Sequence, residues 1–310
     1  MEKIPGDVNS LLGEIAAGFP ALLGDNLAGI YLYGSLTQGA FDPARSDIDC
    51  IVVTRKELSD AEFEAVGEWL ERSAAGNPWT ARLQMGFLLR TQVLVMNSKA
   101  CLYQFGGLVR CGSDGNPIPW MNILKSGVTL YGPLPAEFVP AITGAVLHDA
   151  LVRETGYLRE EFENENSEWR DVPKYRTYAV LTLCRILYSH ATGEIGSKPE
   201  AAAWARPGLP RELLEIVDRA LTDGDRAEIA IERIREFIEL VSERLAKFKQ
   251  DGQDKQDRKE FNRDGGDVRI KRGFAPWRDL LTYFEPIFLR SILSSPASLL
   301  IFFPLLACGC

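Results

Sequence analysis

The chain has 310 residues, of which 46% are hydrophobic, and it carries a formal net charge of -8 at pH 7. This length allows two domains with cores of their own, and the composition is ordinary for a globular protein. The acidic balance argues against a nucleic-acid-binding surface, which usually has a basic face, and is compatible with a cationic substrate.

The first 135 residues predict helices around a small mixed sheet. Apolar spacing predicts a helix over Val8–Leu23, which Pro20 is expected to kink or break. A capping box between Ser59 and Glu62 predicts a second helix. β-Branched and aromatic residues predict strands at Gly29–Tyr33, Cys50–Val53 and Arg82–Leu89.

The next stretch is less regular. Leu94–Leu108 is apolar but ambiguous between helix and strand, and Gly112–Pro119 is typical of a loop. Two short apolar pieces follow, Trp120–Leu124 and Val128–Tyr131. Gly and Pro residues over Pro133–Pro140 then predict a domain boundary.

A helical bundle is predicted for residues 136–249. Its expected helices cover Val139–Glu163, Tyr175–His190, Pro199–Ala205, Arg211–Thr222 and Arg226–Lys249. The whole fold is thus expected to be α+β, with a sheet-containing domain at 1–135 followed by an all-α domain at 136–249.

Residues 250–310 are expected to be a linker and an apolar tail. Gln250–Asp267 is highly charged and nearly free of large apolar groups, which predicts disorder. Ser291–Cys310 is apolar and uncharged, so it could anchor in a membrane, pack on the bundle or be an extension foreign to the domain. Its prolines and serines favour the last two readings over the anchor.

The six cysteines are scattered and include no CxxC pair, which indicates neither a zinc site nor a disulfide framework. A reducing compartment is therefore expected. Since the polar N-terminus also lacks the apolar stretch of a signal peptide, we expect a cytoplasmic protein.

The stretch Gly34–Val53 carries the chemistry. It follows the predicted strand Gly29–Tyr33 and reads as Gly-Ser, loop, Ser-Asp-x-Asp and strand. Residues two apart on a strand share a face. Asp47 and Asp49 therefore lie side by side, where a Mg²⁺ ion would relieve their repulsion. Gly34 and Ser35 offer backbone N–H groups and a hydroxyl to phosphate oxygens.

This pattern resembles the nucleotidyltransferase superfamily. VLTLCRILYSHATGEIGSKPEAAAWA, at Val180–Ala205, is similar to the helical domain of the aminoglycoside 3''(9)-adenylyltransferases, which modify streptomycin and spectinomycin. GVTLYGP, at Gly127–Pro133, resembles that family at the same point before the helical domain. The similarity covers about residues 8–248 and implies a nucleotidyltransferase-type N-terminal domain.

The resemblance implies AMP transfer from ATP to a hydroxyl of the antibiotic with two Mg²⁺ ions. Asp47 and Asp49 would bind the metals. The residues implied to hold the nucleotide are Gly34, Ser35, Ser46, Arg185 and Lys198. The metals and Lys198 would neutralise the charge on the α-phosphate and on the departing pyrophosphate.

One departure from the family concerns the general base. The family has a glutamate on the third strand, and this chain has Gln84 there. An amide cannot accept a proton at neutral pH, and general base catalysis typically contributes about 10²–10⁴-fold. Three consequences are open: activity is reduced, another carboxylate acts as the base, or the chain binds nucleotide without turning it over.

On the acceptor side, Asp171 matches the first of the family's acidic recognition residues. The second falls on Tyr175, and a further recognition position falls on Tyr178. We therefore expect a small acceptor that is cationic or hydroxylated, with streptomycin itself in doubt. The alternative is a catalytically impaired relative that binds nucleotide. A third possibility is an enzyme whose acceptor is a protein side chain or an RNA end, and the acidic net charge disfavours RNA.

Overall fold

The computed structural model describes residues 4–260, with the side chains of residues 4–247. Residues up to Ala246 belong to one compact unit. Its elements in chain order are α1 (Gly6–Leu23), β1 (Leu27–Tyr33), β2 (Ile48–Thr54), α2 (Asp60–Gly76), β3 (Leu83–Leu89), β4 (Lys99–Gln104), β5 (Gly107–Gly112), α3 (Pro117–Ser126), β6 (Val128–Tyr131), α4 (Gly144–Glu163), α5 (Pro173–Thr192), α6 (Lys198–Ala205), α7 (Arg211–Asp223) and α8 (Ile231–Glu260).

The six described strands form one mixed sheet in the order β5-β4-β3-β2-β1-β6. Strands β2 and β3 are parallel, and every other neighbouring pair is antiparallel. The register sets Asp49 opposite Tyr33 on one side and opposite Gln84 on the other. The end of β1 and the starts of β2 and β3 therefore meet at one edge of the sheet.

Both faces of the sheet are covered, which explains why β1 and β2 are buried along their whole length. On one face, Phe19 of α1 and Leu70 of α2 pack with Ile30 and Val52. On the other, Trp120 packs near Tyr31 with ring centroids 6.1 Å apart. The closely packed sheet fixes the positions of the polar residues at its edge.

From Gly144 to Glu260 all the described elements are helical, so the expected α+β fold is confirmed. Helix α5 is central to this part, since Val180, Leu183 and Cys184 are completely buried and α4, α6 and α7 all contact it. The division into two domains near residue 135 stays a prediction.

Several local predictions were wrong. Pro20 does not break α1, because it lies in the last turn, where one backbone hydrogen bond is lost. The ambiguous apolar stretch holds the β4–β5 hairpin, whose turn uses Phe105 at φ 51° and Gly106 at φ 79°. The expected loop ends early, because Asn116 caps α3 by accepting a hydrogen bond from Ile118 N at 2.9 Å and Pro117 opens the helix.

The predicted disorder after Gln250 was also wrong for its first part, since α8 continues to Glu260. The Lys, Gln, Arg and Glu residues there are good helix formers although they offer little to a core. The rest of the expected linker and the apolar tail lie outside the described residues. Among the residues that the structure does describe, no helix has the length and apolar character needed to cross a membrane.

Candidate nucleotide and metal site

Gly34 and Asp49 form the centre of the site. Gly34 follows β1 with φ +78°, and a Cβ atom there would lie 1.8 Å from Asp49 Oδ2. Only glycine combines this backbone conformation with so close an approach. Asp49 is 1% exposed, so the turn after β1 is built against a fully buried carboxylate.

The turn itself exposes little of its polar surface. Thr37 donates hydrogen bonds to the Gly34 carbonyl from its backbone N and from Oγ1, both at 3.1 Å. Ser35 is buried, and within the described residues its hydroxyl has no hydrogen-bond partner. A buried hydroxyl of this kind is available to an incoming acceptor such as a phosphate oxygen.

Asp47 lies just before β2, beside the start of β3. Gln84 Nε2 donates a hydrogen bond to Asp47 Oδ2 at 3.1 Å, and Arg82 Nε is 4.0 Å from Asp47 Oδ1. Burial raises the pKa of the Asp47 carboxyl, while the positive charges of Lys174, Arg82 and Lys198 act to lower it. The third strand therefore supplies an amide donor to this carboxylate, and the residue before that strand supplies a guanidinium.

Ser46 closes the loop that delivers Asp47. Its hydroxyl accepts a hydrogen bond from Asp42 N at 2.9 Å, and its own backbone N donates to Asp42 O at 2.7 Å. Ser46 is completely buried. In the structure this residue fixes the geometry of the loop, and its predicted contact with the nucleotide stays a prediction.

The helical part brings cations towards this edge of the sheet. Lys198 is the first residue of α6, and Ser197 and Glu200 form a capping box there. The Lys198 ammonium lies 5.1 Å from the centroid of the Tyr178 ring, an arrangement that attracts a cation to an aromatic face. Its charge also reaches Asp47, so the structure brings Lys198 together with the predicted metal site.

Arg185 has a different neighbour. It projects from α5, and its charge acts on Glu154 of α4, a carboxyl that is 3% exposed. Burial raises the pKa of Glu154 to about 8, Asp114 adds to the rise, and Arg185 opposes it. The predicted contact between Arg185 and the nucleotide stays a prediction.

The expected acceptor residues lie around Trp169. Asp171 is exposed and ends the short helical turn that contains Trp169. Tyr178 meets Trp169 edge to face with centroids 5.6 Å apart, and Tyr175 stacks on it at 5.2 Å. The tyrosines at the family's recognition positions thus pack on a buried indole.

Sequence reasoning missed three charged residues near Asp47. Arg82 precedes β3, Lys174 lies in the first turn of α5, and Asp225 lies in the turn between α7 and α8. A lysine in the first turn of a helix opposes the helix dipole, and this signal could have found Lys174. Nothing in the sequence near Asp225 indicates its position.

Comparisons with known proteins agree with the expected fold and class of enzyme. The family described as "Aminoglycoside adenylyltransferase, C-terminal domain" matches residues 137–246, and the "Nucleotidyltransferase domain" matches residues 14–81. The chain is thus similar to nucleotidyltransferases in its N-terminal part and to aminoglycoside adenylyltransferases in its helical part. It is accordingly an enzyme of the nucleotidyltransferase type, and that expectation is confirmed.

Individual members of the family are distant relatives. An aminoglycoside (3'') (9) adenylyltransferase from Shigella flexneri is 26% identical over 79% of this chain and 98% of its own length. A spectinomycin 9-adenylyltransferase from Campylobacter jejuni is 26% identical over 71% and 85%. The fold is shared with a spectinomycin adenyltransferase from Enterococcus faecialis, whose crystal structure was determined with ATP and spectinomycin. The two structures match with a TM-score of 0.60 at 18% identity, over 77% of this chain and 98% of the other.

The family implies a divalent metal, and the carboxylates fit one. Asp47 and Asp49 provide hard oxygen ligands from one edge of the sheet. In the part of the chain that the structure describes, no group of three or more His, Cys, Asp or Glu side chains could hold a metal ion. Two carboxylates suit Mg²⁺, which is commonly bound through one or two of them together with substrate phosphates.

Proposed function

We propose that the enzyme transfers AMP from ATP to a hydroxyl of a small hydroxylated, cationic acceptor and that Mg²⁺ is required. The observation that carries this proposal is the contact between Gly34 and Asp49, which keeps a carboxylate directly behind the turn after β1. A phosphate chain bound at that turn lies next to the metal ligands, and the charge of Lys198 acts on the same edge of the sheet.

The reaction is a substitution at phosphorus. The acceptor oxygen bonds to the α-phosphorus of ATP, the bond from that phosphorus to the bridging oxygen of the β-phosphate breaks, and pyrophosphate leaves with the electron pair. Asp47 and Asp49 would hold Mg²⁺, which would supply positive charge to the reacting and leaving oxygens. Gly34 and Ser35 hold the phosphates, and Lys198 stabilises the charge that builds on them.

We assign the acceptor to the surface formed by α5 and the turn before it. Asp171 is exposed there and offers a carboxylate to an ammonium group, and Tyr178 offers its phenol edge. Because Gln84 is neutral, β3 offers no carboxylate to take the hydroxyl proton, and this proton passes to solvent water as the new bond forms. Arg185 and Ser46 are further nucleotide contacts in this proposal.

The test is a direct search for the product. The protein is incubated with Mg²⁺, ATP and a panel of streptomycin, spectinomycin and other hydroxylated amines, and mass spectrometry looks for an acceptor that has gained one AMP. Asp49→Asn is the inactive control, since it keeps the shape of the buried side chain and removes its charge. ATP binding without an adduct on any acceptor contradicts the proposal.

A second candidate is a catalytically impaired nucleotide-binding relative. It is favoured by one observation, the hydrogen bond that Gln84 donates to Asp47 at 3.1 Å, because the amide engages a metal ligand instead of acting as a base. This candidate predicts Mg²⁺-dependent ATP binding with very slow transfer. A natural protein that turns over quickly excludes it.

A further inference from the structure

Lys125 joins α3 to the segment that precedes α6. Its ammonium donates a hydrogen bond to the Ile195 carbonyl at 2.7 Å and lies 3.5 Å from the Glu194 carboxylate. The ion pair is exposed, with side-chain exposures of 44% and 61%, so it contributes little by itself. The bond to the carbonyl is the stronger contact, since its donor is charged and Ile195 is only 3% exposed.

Both ends of this contact lead to the nucleotide site. On the α3 side, Ser126 Oγ lies 3.4 Å from Thr37 Oγ1, and Thr37 in turn donates to the Gly34 carbonyl. On the other side, only two residues separate Ile195 from Lys198. A single lysine therefore spans from the helix that touches the phosphate-binding turn to the segment that carries the phosphate-binding lysine.

The segment before α6 is stiff enough to transmit this restraint. Ser197 caps α6, with Glu200 N donating to Ser197 Oγ at 3.3 Å and Ser197 N donating to Glu200 Oε2 at 3.2 Å. A Cβ atom at Gly196 would lie 3.0 Å from the Tyr188 ring, so the backbone packs closely on α5. Holding Ile195 therefore holds the start of α6.

We propose that Lys125 is a positioning residue that fixes the start of α6, and with it Lys198, against the phosphate-binding turn at Gly34 and Ser35. The proposal rests on the role of Lys198 given under the proposed function. Lys125 itself does not touch the nucleotide. It acts by lowering the freedom of Lys198 before ATP arrives, so its removal weakens ATP binding without weakening binding of the acceptor.

The experiment measures equilibrium binding of the Mg²⁺ complex of a non-cleavable ATP analogue, so that turnover is not needed. Lys125→Met keeps the length of the side chain and removes the donor, and we expect an affinity about 10-fold lower, the low end for a hydrogen bond to a charged group. Glu194→Gln is the matched control, which removes only the exposed ion pair and should change affinity less than 2-fold. Lys125→Arg restores a charged donor and should recover most of the loss.

A double-mutant cycle separates positioning from a general effect on the fold. In a Lys198→Ala background, Lys125→Met should cause no further loss of affinity, whereas any fall in the urea midpoint caused by Lys125→Met should be the same in both backgrounds. Wild-type affinity in Lys125→Met, or an equal loss in both backgrounds, overturns the proposal. If Lys198→Ala alone binds like the wild type, the assumed role of Lys198 fails and the inference falls with it.

Discussion

Replacing Gln84 by glutamate tests what the third strand contributes. Gln84 is 7% exposed, and its amide donates to Asp47 Oδ2 at 3.1 Å. The substitution puts two carboxylate oxygens at that distance, where the repulsion is about 5 kcal/mol at an effective dielectric constant of 20. One of the two carboxyls can escape the repulsion by keeping its proton, which limits the cost at pH 7 to about 4 kcal/mol.

A divalent cation removes this penalty, because a carboxylate pair beside a metal no longer repels in the same way. Gln84→Glu should therefore have a lower urea midpoint than the wild type in EDTA and should regain most of the difference in Mg²⁺. If the natural chain is slow because it lacks a base, AMP transfer at saturating Mg²⁺ and ATP should rise by about 10²-fold or more.

Gln84→Ala is the control for this experiment, because it removes the hydrogen bond without adding a carboxylate, and it should not raise the rate. The measurement is the initial rate of AMP transfer to whichever acceptor the mass-spectrometric panel identifies. A wild-type protein that turns over quickly and a Gln84→Glu variant that is slower would refute the reasoning, because the amide would then be part of an efficient site.

Three further outcomes can be checked with simple variants. Gly34→Ala forces a Cβ atom to within 1.8 Å of a buried carboxylate oxygen at φ +78°. We therefore expect the free energy of unfolding in urea to fall by about 2 kcal/mol or more and ATP binding to be lost. The control Gly67→Ala, whose Cβ atom meets nothing within 4 Å, should be neutral or slightly stabilising. Tyr178→Phe keeps the ring face beneath the Lys198 ammonium and should bind ATP like the wild type. Tyr178→Leu removes the ring and should bind ATP about 2- to 5-fold more weakly. Equal losses of affinity in the two variants would show that the tyrosine hydroxyl matters instead. The pKa of Glu154, near 4.5 in the unfolded chain, is raised by burial to about 8 in the folded chain. The folded state therefore binds more protons between these values, and stability should fall as the pH rises through that window. Glu154→Gln should flatten this pH dependence in unfolding curves from pH 5 to 8, and an unchanged slope would show that another group causes it.

The sequence allowed the centre of the site to be predicted because its signals are local. A buried strand, a Gly-Ser turn and an Asp-x-Asp pair each need only a few neighbouring residues. The stretch Gly29–Val53 was therefore interpreted correctly as strand, turn and strand. The close approach of Gly34 to Asp49 explains why the motif needs a glycine at this position, and only the structure shows it.

The parts that could not be predicted depend on distant contacts or on unusual turns. The β4–β5 hairpin turns at Phe105, which adopts positive φ although it is not a typical turn residue. Lys174 reaches Asp47 only because α5 starts beside the loop that precedes β2. Here Thr177 donates to the Gly224 carbonyl at 2.7 Å, and a Cβ atom at Gly224 would lie 2.5 Å from Arg45. Contacts of this range have no signature in a single sequence.

The negative and positive charges at this edge of the sheet come from different parts of the chain. Asp49 comes from β2 and is buried, and Asp47 directly precedes β2 and is half-buried, while Lys174 and Lys198 come from the first turns of α5 and α6. Each group is unfavourable on its own, since burial opposes a carboxylate's charge and the helix dipole opposes a cation at an N-terminus. A metal ion with a polyphosphate offsets both costs at once, because the metal pairs with the carboxylates and the phosphates pair with the lysines and the helix ends. The arrangement is thus favourable only with its substrate bound, which is a physical reason to expect that Mg²⁺ and ATP bind cooperatively and that neither binds tightly alone.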